Sequence, residues 1–173
     1  MFDENLYTKL AFNRPIKDRF EQGYWSDVTL SLPGTVKKTT NCNFGLEREY
    51  GVMLSLWEAG FHDMPKPIQL KDDGDSIVMA EILYGTPLEE LLTLVEAGEI
   101  PKFLFKHILD ILREVLERFW ATGFAHNDLH TNNILVGVDR HGNWRVWIID
   151  FGRSFQGDPE ADKKQMRRFF DDL

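Results

Sequence analysis

The sequence has 173 residues, of which 43% are hydrophobic and 13% aromatic, which is enough to build one domain or two small lobes that share a cleft. The net charge of −8 and the pI near 5.1 argue against a nucleic-acid surface as the main partner. Cys42 is the only cysteine, so an intrachain disulfide framework is excluded. Because we find neither a signal peptide nor an apolar run of membrane-spanning length, we expect a cytoplasmic protein without a membrane partner.

Residues 19–38 carry the signals of three short strands separated by turns. Gly23 marks the first turn and a Pro-Gly pair the second, and from Val28 onward apolar residues alternate with polar ones, as on a half-buried strand. The third strand carries Lys37 and Lys38. Because successive side chains on a strand point to opposite faces, only one of these lysines can face the interior.

Residues 43–60 predict the first helix, and Gly60 marks its end. Glu49 lies beside its apolar stripe, immediately before Tyr50. The stripe positions recur every three or four residues, at Leu46, Tyr50, Met53, Leu54 and Trp57.

Residues 65–83 predict an edge strand and a second strand from residue 76 to residue 83, joined by a turn at Asp73 and Gly74. Gly85 then breaks the pattern before a helix that opens near residue 88. The strongest helix of the chain is predicted at residues 100–123. Its apolar positions keep the 3.6-residue period, at Phe105, Ile108, Leu112, Val115 and Phe119.

A dense polar pattern follows at residues 124–153. It opens with H-x-D-x-x-x-x-N, formed by His126, Asp128 and Asn133, and closes with D-F-G, which begins at Asp150. Carboxylate and amide oxygens of this kind can hold Mg²⁺ on the phosphates of a nucleotide.

Two apolar runs, 134–138 and 144–149, lie between Asn133 and Asp150. A turn-forming Asp-Arg-His-Gly-Asn segment joins them, and the whole predicts a β-hairpin. Because the outer ends of a hairpin meet, Asn133 and Asp150 would converge on one site with Asp128.

Two other interpretations of this stretch stay open. His126, Asp128 and His130 alternate, so on a strand they would face one way and could ligate iron or zinc. The stretch could also be a buried hairpin flanked by ordinary polar loop residues. The D-F-G tripeptide has no role in the metal-site interpretation.

After Gly152 only 21 residues remain in the sequence. Pro159 and Glu160 open a predicted final helix. Its apolar side consists of Met166, Phe169 and Phe170.

The order and spacing of the 124–153 residues resemble the catalytic core of the protein-kinase-like superfamily. The resemblance implies that Asp128 is the catalytic base for a hydroxyl acceptor and that Asn133 and Asp150 hold Mg²⁺ on ATP. His130 stands where many members have a lysine and is implied to contact the transferring phosphate. Asn127 replaces the usual arginine, which argues against control through a phosphorylated activation loop. With these two departures, the motif resembles that of aminoglycoside and choline kinases and of small atypical protein kinases of the RIO-like and tRNA-modification-associated kinds.

The resemblance extends toward the N-terminus. Lys37 follows an aliphatic residue, as the lysine of the family does, and is implied to contact the α and β phosphates of ATP, with Lys38 as the alternative. Glu49 is implied to pair with that lysine, with Glu47 in reserve. The second strand of residues 65–83 resembles the hinge between two lobes, and Q-G-Y-W-S-D-V resembles a degenerate glycine-rich loop. The implied nucleotide contacts in these two segments are Gly23, Ser26, Val28, the backbone C=O of Glu81 and the backbone N–H of Leu83.

We therefore expect an α+β, two-lobed protein-kinase-like fold, with an N-terminal lobe at residues 1–83 and a reduced C-terminal lobe at residues 84–173. The expected activity is that of an ATP- and Mg²⁺-dependent atypical serine/threonine kinase. A small-molecule kinase with an alcohol acceptor, and an ATP-binding pseudokinase or ATPase-like scaffold, are the alternatives. Because a reduced lobe should expose surface that is normally covered, a protein partner or a homodimer is also expected.

Overall fold

The computed structural model describes residues 26–40, 45–82, 85–139 and 141–173. Within these ranges the chain forms four α-helices and nine strands, and the strands make three antiparallel sheets. This mixed architecture agrees with the expected α+β class and is compatible with a kinase-like fold. Gly23 and Leu83, two of the predicted nucleotide contacts, lie outside the described residues.

The first sheet has four strands in the order β1-β2-β4-β3. Alternation on β2 buries Val36 and Lys38 on one face, whereas Lys37 is directed to the opposite face and is partly exposed. Val28 lies directly opposite Lys38 in the β1–β2 register, so both side chains lie on the same face. The strands are β1 (Ser26–Leu30), β2 (Thr35–Thr40), β3 (Pro67–Lys71) and β4 (Ser76–Ala80).

Helix α1 (Glu47–Glu58) lies between β2 and β3 in the chain. Its buried residues are Met53 and Leu56 of the apolar side and, near the start, Glu49. Gly60 ends the helix with a φ of 88°, a conformation that favours glycine, as the sequence predicted.

The remaining helices are α2 (Leu88–Glu96), α3 (Lys102–Ala121) and α4 (Glu160–Asp171). All five predicted apolar positions of α3 are buried, which confirms that helix as the principal one of this half. Strands β5 (Thr86–Pro87), β7 (Ile134–Val138) and β8 (Trp144–Ile148) form the second sheet. Strands β6 (Phe124–Ala125) and β9 (Phe155–Gln156) form the third.

The predicted hairpin is confirmed, because β7 and β8 pair in antiparallel register from Ile134 opposite Ile148 to Val138 opposite Trp144. By contrast, the predicted strand at 76–83 is shorter, since β4 ends at Ala80. The very short strands β5, β6 and β9 were not predicted. Each has only two residues, too few to produce a periodic pattern.

The apolar side of α4 packs against the core of this chain: Met166 is buried, and Phe169 and Phe170 lie partly buried against the same core. The chain itself therefore covers at least part of the apolar side of this helix, and the expected partner or homodimer stays a prediction. In the described part of the chain, no helix combines the length and apolarity needed to cross a membrane.

Asp63 connects the segment after α1 to the second half of the described chain. Its carboxylate accepts hydrogen bonds from Arg118 of α3, at 2.9 and 3.1 Å, and from Arg145 of β8, at 2.8 Å. Its backbone carbonyl accepts the N–H of Ile148 at 2.9 Å. These contacts fix the end of β8, from which the D-F-G segment begins.

Candidate active site

Lys38 lies at the centre of the site. Its Nζ donates to Oε1 of Glu49 and to Oδ1 of Asp150, each at 2.8 Å, and the residue is only 7% exposed. The prediction of Lys37 as the lysine of this ion pair is therefore wrong. The strand register directs Lys38, not Lys37, to the face that contacts α1 and Asp150.

Lys38 and Asp150 each favour the charged form of the other. Burial alone would lower the pKa of the Lys38 ammonium, but the carboxylates of Glu49 and Asp150 outweigh it and hold that pKa above its ordinary value. Burial likewise opposes ionisation of Asp150, yet Lys38 holds the pKa of that carboxyl below its usual range. We conclude that Lys38 is a cation and Asp150 an anion near neutral pH.

Asp150 lies two residues after the end of β8 and adopts a φ of 62°, in the left-handed region that aspartate tolerates better than most residues. The backbone N–H of Gly152 donates to its carboxylate, and the N–H of Phe151 donates to Glu49. Phe151 itself is 1% exposed and packs 5.3 Å from the ring of His126. The D-F-G segment is thus held by both its backbone and its buried ring.

His126 is completely buried and serves the structure of the loop. Its Nε2 lies 2.9 Å from the carbonyl oxygen of Ile149, and its ring packs between Phe119 and Phe151. Burial lowers the pKa of this imidazole, so it is neutral near pH 7.

Residues 126–133 form the candidate catalytic loop, and Asp162 of α4 anchors its start. Its two carboxylate oxygens accept the backbone N–H groups of His126, at 2.6 Å, and of Asn127, at 2.9 Å. Asp162 is 2% exposed. Asn127, at the position where protein kinases have arginine, adopts a φ of 60°, which asparagine tolerates.

Asn133 joins the catalytic loop to the hairpin. Its side-chain nitrogen donates to the carbonyl oxygen of Asp128 at 2.9 Å and lies 3.1 Å from Nε2 of His130, while its backbone carbonyl accepts the N–H of Ile149 at 3.0 Å. Because the amide nitrogen is committed to the loop, the amide oxygen is the atom that Asn133 can offer to a cation. The structure thus links Asn133 to Asp128 and His130 within one loop.

The donor set fits Mg²⁺ bound to phosphates. One carboxylate, on Asp150, and one amide oxygen, on Asn133, are the hard oxygen ligands that Mg²⁺ takes alongside phosphate oxygens and water. The side chain of Asp150 is 46% exposed, so it remains accessible despite its contact with Lys38. Iron or zinc at His126, Asp128 and His130 is contradicted, because the described residues contain no cluster of three or more His, Cys, Asp or Glu that could hold a metal.

For the other described nucleotide contacts, the structure gives positions on strands and one backbone hydrogen bond. Val28 is next to Lys38 on the same face of the sheet, and Ser26 begins β1. The backbone N–H of Glu81 donates to the carbonyl of Gly34 at 3.0 Å, which ties the segment after β4 to the β1–β2 turn. Glu47, the reserve choice for the lysine partner, is exposed.

Sequence reasoning missed two residues of the site. Asp162 is one of several acidic residues near the last helix, and its burial becomes visible only when α4 packs beside the loop. Arg153, directly after the D-F-G segment, places Nη1 3.5 Å from Oδ1 of Asp128. An arginine at this position has no distinguishing pattern in the sequence.

Comparisons with known proteins indicate the family of this chain. The profile of the phosphotransferase enzyme family (APH) matches residues 59–163, more than half of the chain, and this range includes Asp128, Asn133 and Asp150. A probable serine/threonine-protein kinase of Dictyostelium discoideum is 27% identical to the chain over 155 residues. That similarity covers 87% of this chain and 34% of the relative, so the chain spans about a third of the length of this relative.

Proposed function

Because this chain belongs to the phosphotransferase enzyme family, we propose that it transfers the γ-phosphoryl group of ATP to a hydroxyl group. The observation that carries the proposal is the double ion pair of Lys38 with Glu49 and Asp150, both at 2.8 Å. A kinase-type site contains a phosphate-contacting lysine, a glutamate that supports it and a metal-binding aspartate, and the arrangement supports these roles for Lys38, Glu49 and Asp150.

In this proposal ATP lies between two lobes, residues 1–83 and residues 84–173. The ammonium of Lys38 contacts the α and β phosphates while Glu49 keeps it in position. Val28, on the same face as Lys38, packs against the base. Gly23, Ser26 and the backbone groups of Glu81 and Leu83 are the other proposed contacts to the nucleotide.

Asn133 and Asp150 are the proposed holders of Mg²⁺, which would neutralise charge on the β and γ phosphates. The neighbouring loop residues act on the acceptor. Asp128 accepts the proton of the attacking hydroxyl. The oxygen of that hydroxyl bonds to the γ phosphorus, and the bond from that phosphorus to ADP breaks. His130 lies near the transferring group, where a neutral imidazole stabilises negative charge less than a lysine would.

The acceptor is proposed to be a serine or threonine hydroxyl of a protein, on the strength of the kinase-named relative. A small-molecule alcohol is the second candidate, because the matching family is described only as phosphotransferases. An ATP-binding scaffold with little turnover is a third possibility. The presence of Asp128, Asn133 and Asp150 together disfavours the scaffold, since a protein that only binds ATP does not need a base. A cytoplasmic location, and a partner protein that would be either the acceptor or a second subunit, belong to the same proposal.

The test uses γ-labelled ATP with Mg²⁺ and follows label incorporation into the protein itself, into a degenerate serine/threonine peptide library and into a panel of small alcohols. Asp128→Ala is compared with Asp110→Ala, which removes an exposed aspartate of α3 that pairs with a neighbouring arginine. We expect transfer by the wild type and by Asp110→Ala and none above background by Asp128→Ala. Full transfer by Asp128→Ala, in a preparation free of contaminating kinase, would refute the proposed function.

A further inference from the structure

Arg153 is a cation with unused hydrogen-bonding capacity at the acceptor side of the site. Its guanidinium lies 3.5 Å from Asp128, compared with 2.8 Å for the contacts of Lys38, and its side chain is 64% exposed. Asp128 is its only ion-pair partner in the described part of the chain. Since a guanidinium carries five N–H donors, most of them face solvent.

The loop beside Arg153 carries negative charge. Asp128 contacts Arg153 directly, and Glu89 of α2 contacts the same loop by accepting a hydrogen bond from Thr131. Lys38 pairs with Glu49 and Asp150 rather than with Asp128. An anionic acceptor beside Asp128 would be repelled by that carboxylate, and Arg153 supplies a positive charge that opposes this repulsion.

An exposed ion pair of this length is weak, so an incoming anion can replace Asp128 as the partner of Arg153 at little cost. A guanidinium binds carboxylate or phosphate through two parallel hydrogen bonds, a geometry that its single contact with Asp128 does not use. The exchange would also release the Asp128 carboxylate for the hydroxyl of the same acceptor. One residue would thus both recognise the anion and free the base.

We propose that Arg153 is a specificity residue that selects acceptors bearing a carboxylate or phosphate beside the reacting hydroxyl. The inference rests on the proposed phosphotransfer and names its substrate class. Two sources supply this chemistry: a serine or threonine in an acidic peptide segment, and a small hydroxy acid.

The experiment compares kcat/KM for two matched acceptor pairs. The first pair is a serine peptide flanked by glutamates and the same peptide flanked by glutamines, and the second is glycerate and glycerol. The variants are Arg153→Gln and Arg153→Glu, with Arg167→Gln as the control. Arg167 is a close match, being 68% exposed with a 3.6 Å ion pair to Glu160, but it lies on α4 away from Asp128.

In at least one pair, the wild type and Arg167→Gln should prefer the anionic acceptor about tenfold or more. Arg153→Gln should bring that ratio close to one, and Arg153→Glu should reverse it. The pair that shows the preference identifies the source, peptide or hydroxy acid. If the wild type and Arg153→Gln show the same preference for the anionic acceptor, the inference is overturned. It is also overturned if Arg153→Gln lowers kcat/KM equally for both members of a pair, because the guanidinium would then act on ATP.

The failure of the proposed function gives a different result. If the wild type binds ATP with Mg²⁺ yet transfers phosphate neither to any of the four acceptors nor to itself, the phosphotransferase proposal fails and the inference with it. Transfer to the neutral acceptors without any preference for the anionic ones removes only the inference.

Discussion

The ammonium of Lys38 lies 2.8 Å from Asp150, although 112 positions separate the two residues in the chain. The contact joins strand β2 to the residue that follows the β7–β8 hairpin. Both groups are ionised near neutral pH, because each favours the charged form of the other over the opposing effect of burial. The contact therefore brings residues from the two ends of the described chain into one site.

Replacing Lys38 by methionine should abolish most phosphotransfer. The change removes the charge that the proposal places on the α and β phosphates, and it leaves Glu49 and Asp150 without their shared partner. Loss of one such electrostatic contact lowers kcat by about a hundredfold or more. Steady-state kinetics on folded protein, checked by circular dichroism, measures the effect.

Lys37→Met is the matched comparison, because it removes the same charge from the adjacent residue on the opposite face of β2. We expect kcat for Lys37→Met to stay within a few-fold of the wild-type value. Equal losses in the two variants would contradict the assignment of Lys38.

The sequence alone could not predict which of these two lysines faces the interior. Alternation on β2 established that only one could face inward, but the pattern of a short strand is the same in either register. The hairpin and α3 were predictable because their periodicity extends over many residues. Asp162 was not, since its role depends on how α4 packs beside the catalytic loop, and nothing in the local sequence marks a buried aspartate.

Asp162→Asn should destabilise the protein and slow the transfer step. An amide has one acceptor oxygen in place of two, so one of the buried N–H groups of His126 and Asn127 loses its partner. Such a loss costs about 1–3 kcal/mol. Urea unfolding measures the stability, and kcat reports the displacement of the loop. Asp171→Asn, at an exposed position of the same helix, should change neither quantity, and an equally stable Asp162→Asn would show that the anchor is dispensable.

Asn127 offers a separate test of the loop backbone. Its φ of 60° suits asparagine and glycine but strains a β-branched side chain, so Asn127→Val should lower the free energy of unfolding by about 1–2 kcal/mol. The free energy of unfolding of Asn127→Gly should stay within about a few tenths of a kcal/mol of the wild-type value. Chemical denaturation of the two variants and the wild type measures these free energies of unfolding. A Val variant as stable as the Gly variant would mean that the loop does not require this conformation.

The buried His126 predicts how stability depends on pH. The unfolded imidazole gains a proton as the pH falls through about 6.5. The folded one resists protonation because burial lowers its pKa. The unfolded state thus binds more protons below this pH, and the free energy of unfolding should fall as the pH is lowered from 7.

Denaturant unfolding between pH 7.5 and 5.5 measures this slope. His126→Gln should reduce it, whereas His107→Gln, which changes an exposed position of α3, should leave it unchanged. Identical slopes in the wild type and His126→Gln would assign the pH dependence to other groups.

The most direct test of the central claim, a Mg²⁺-dependent ATP site built on Lys38 and Asp150, is a thermal-shift titration with ATP in the presence and absence of Mg²⁺. A ligand that binds only the folded state stabilises it by about 2.7 kcal/mol at a hundredfold excess over Kd, which corresponds to a rise in Tm of about 5–10 °C for a chain of this length. We predict such a rise for the wild type with Mg²⁺ and, relative to its own unliganded Tm, little or none for Asp150→Asn. A folded wild-type protein whose Tm does not respond to ATP and Mg²⁺ at any concentration, or an Asp150→Asn variant that responds equally, would contradict the account.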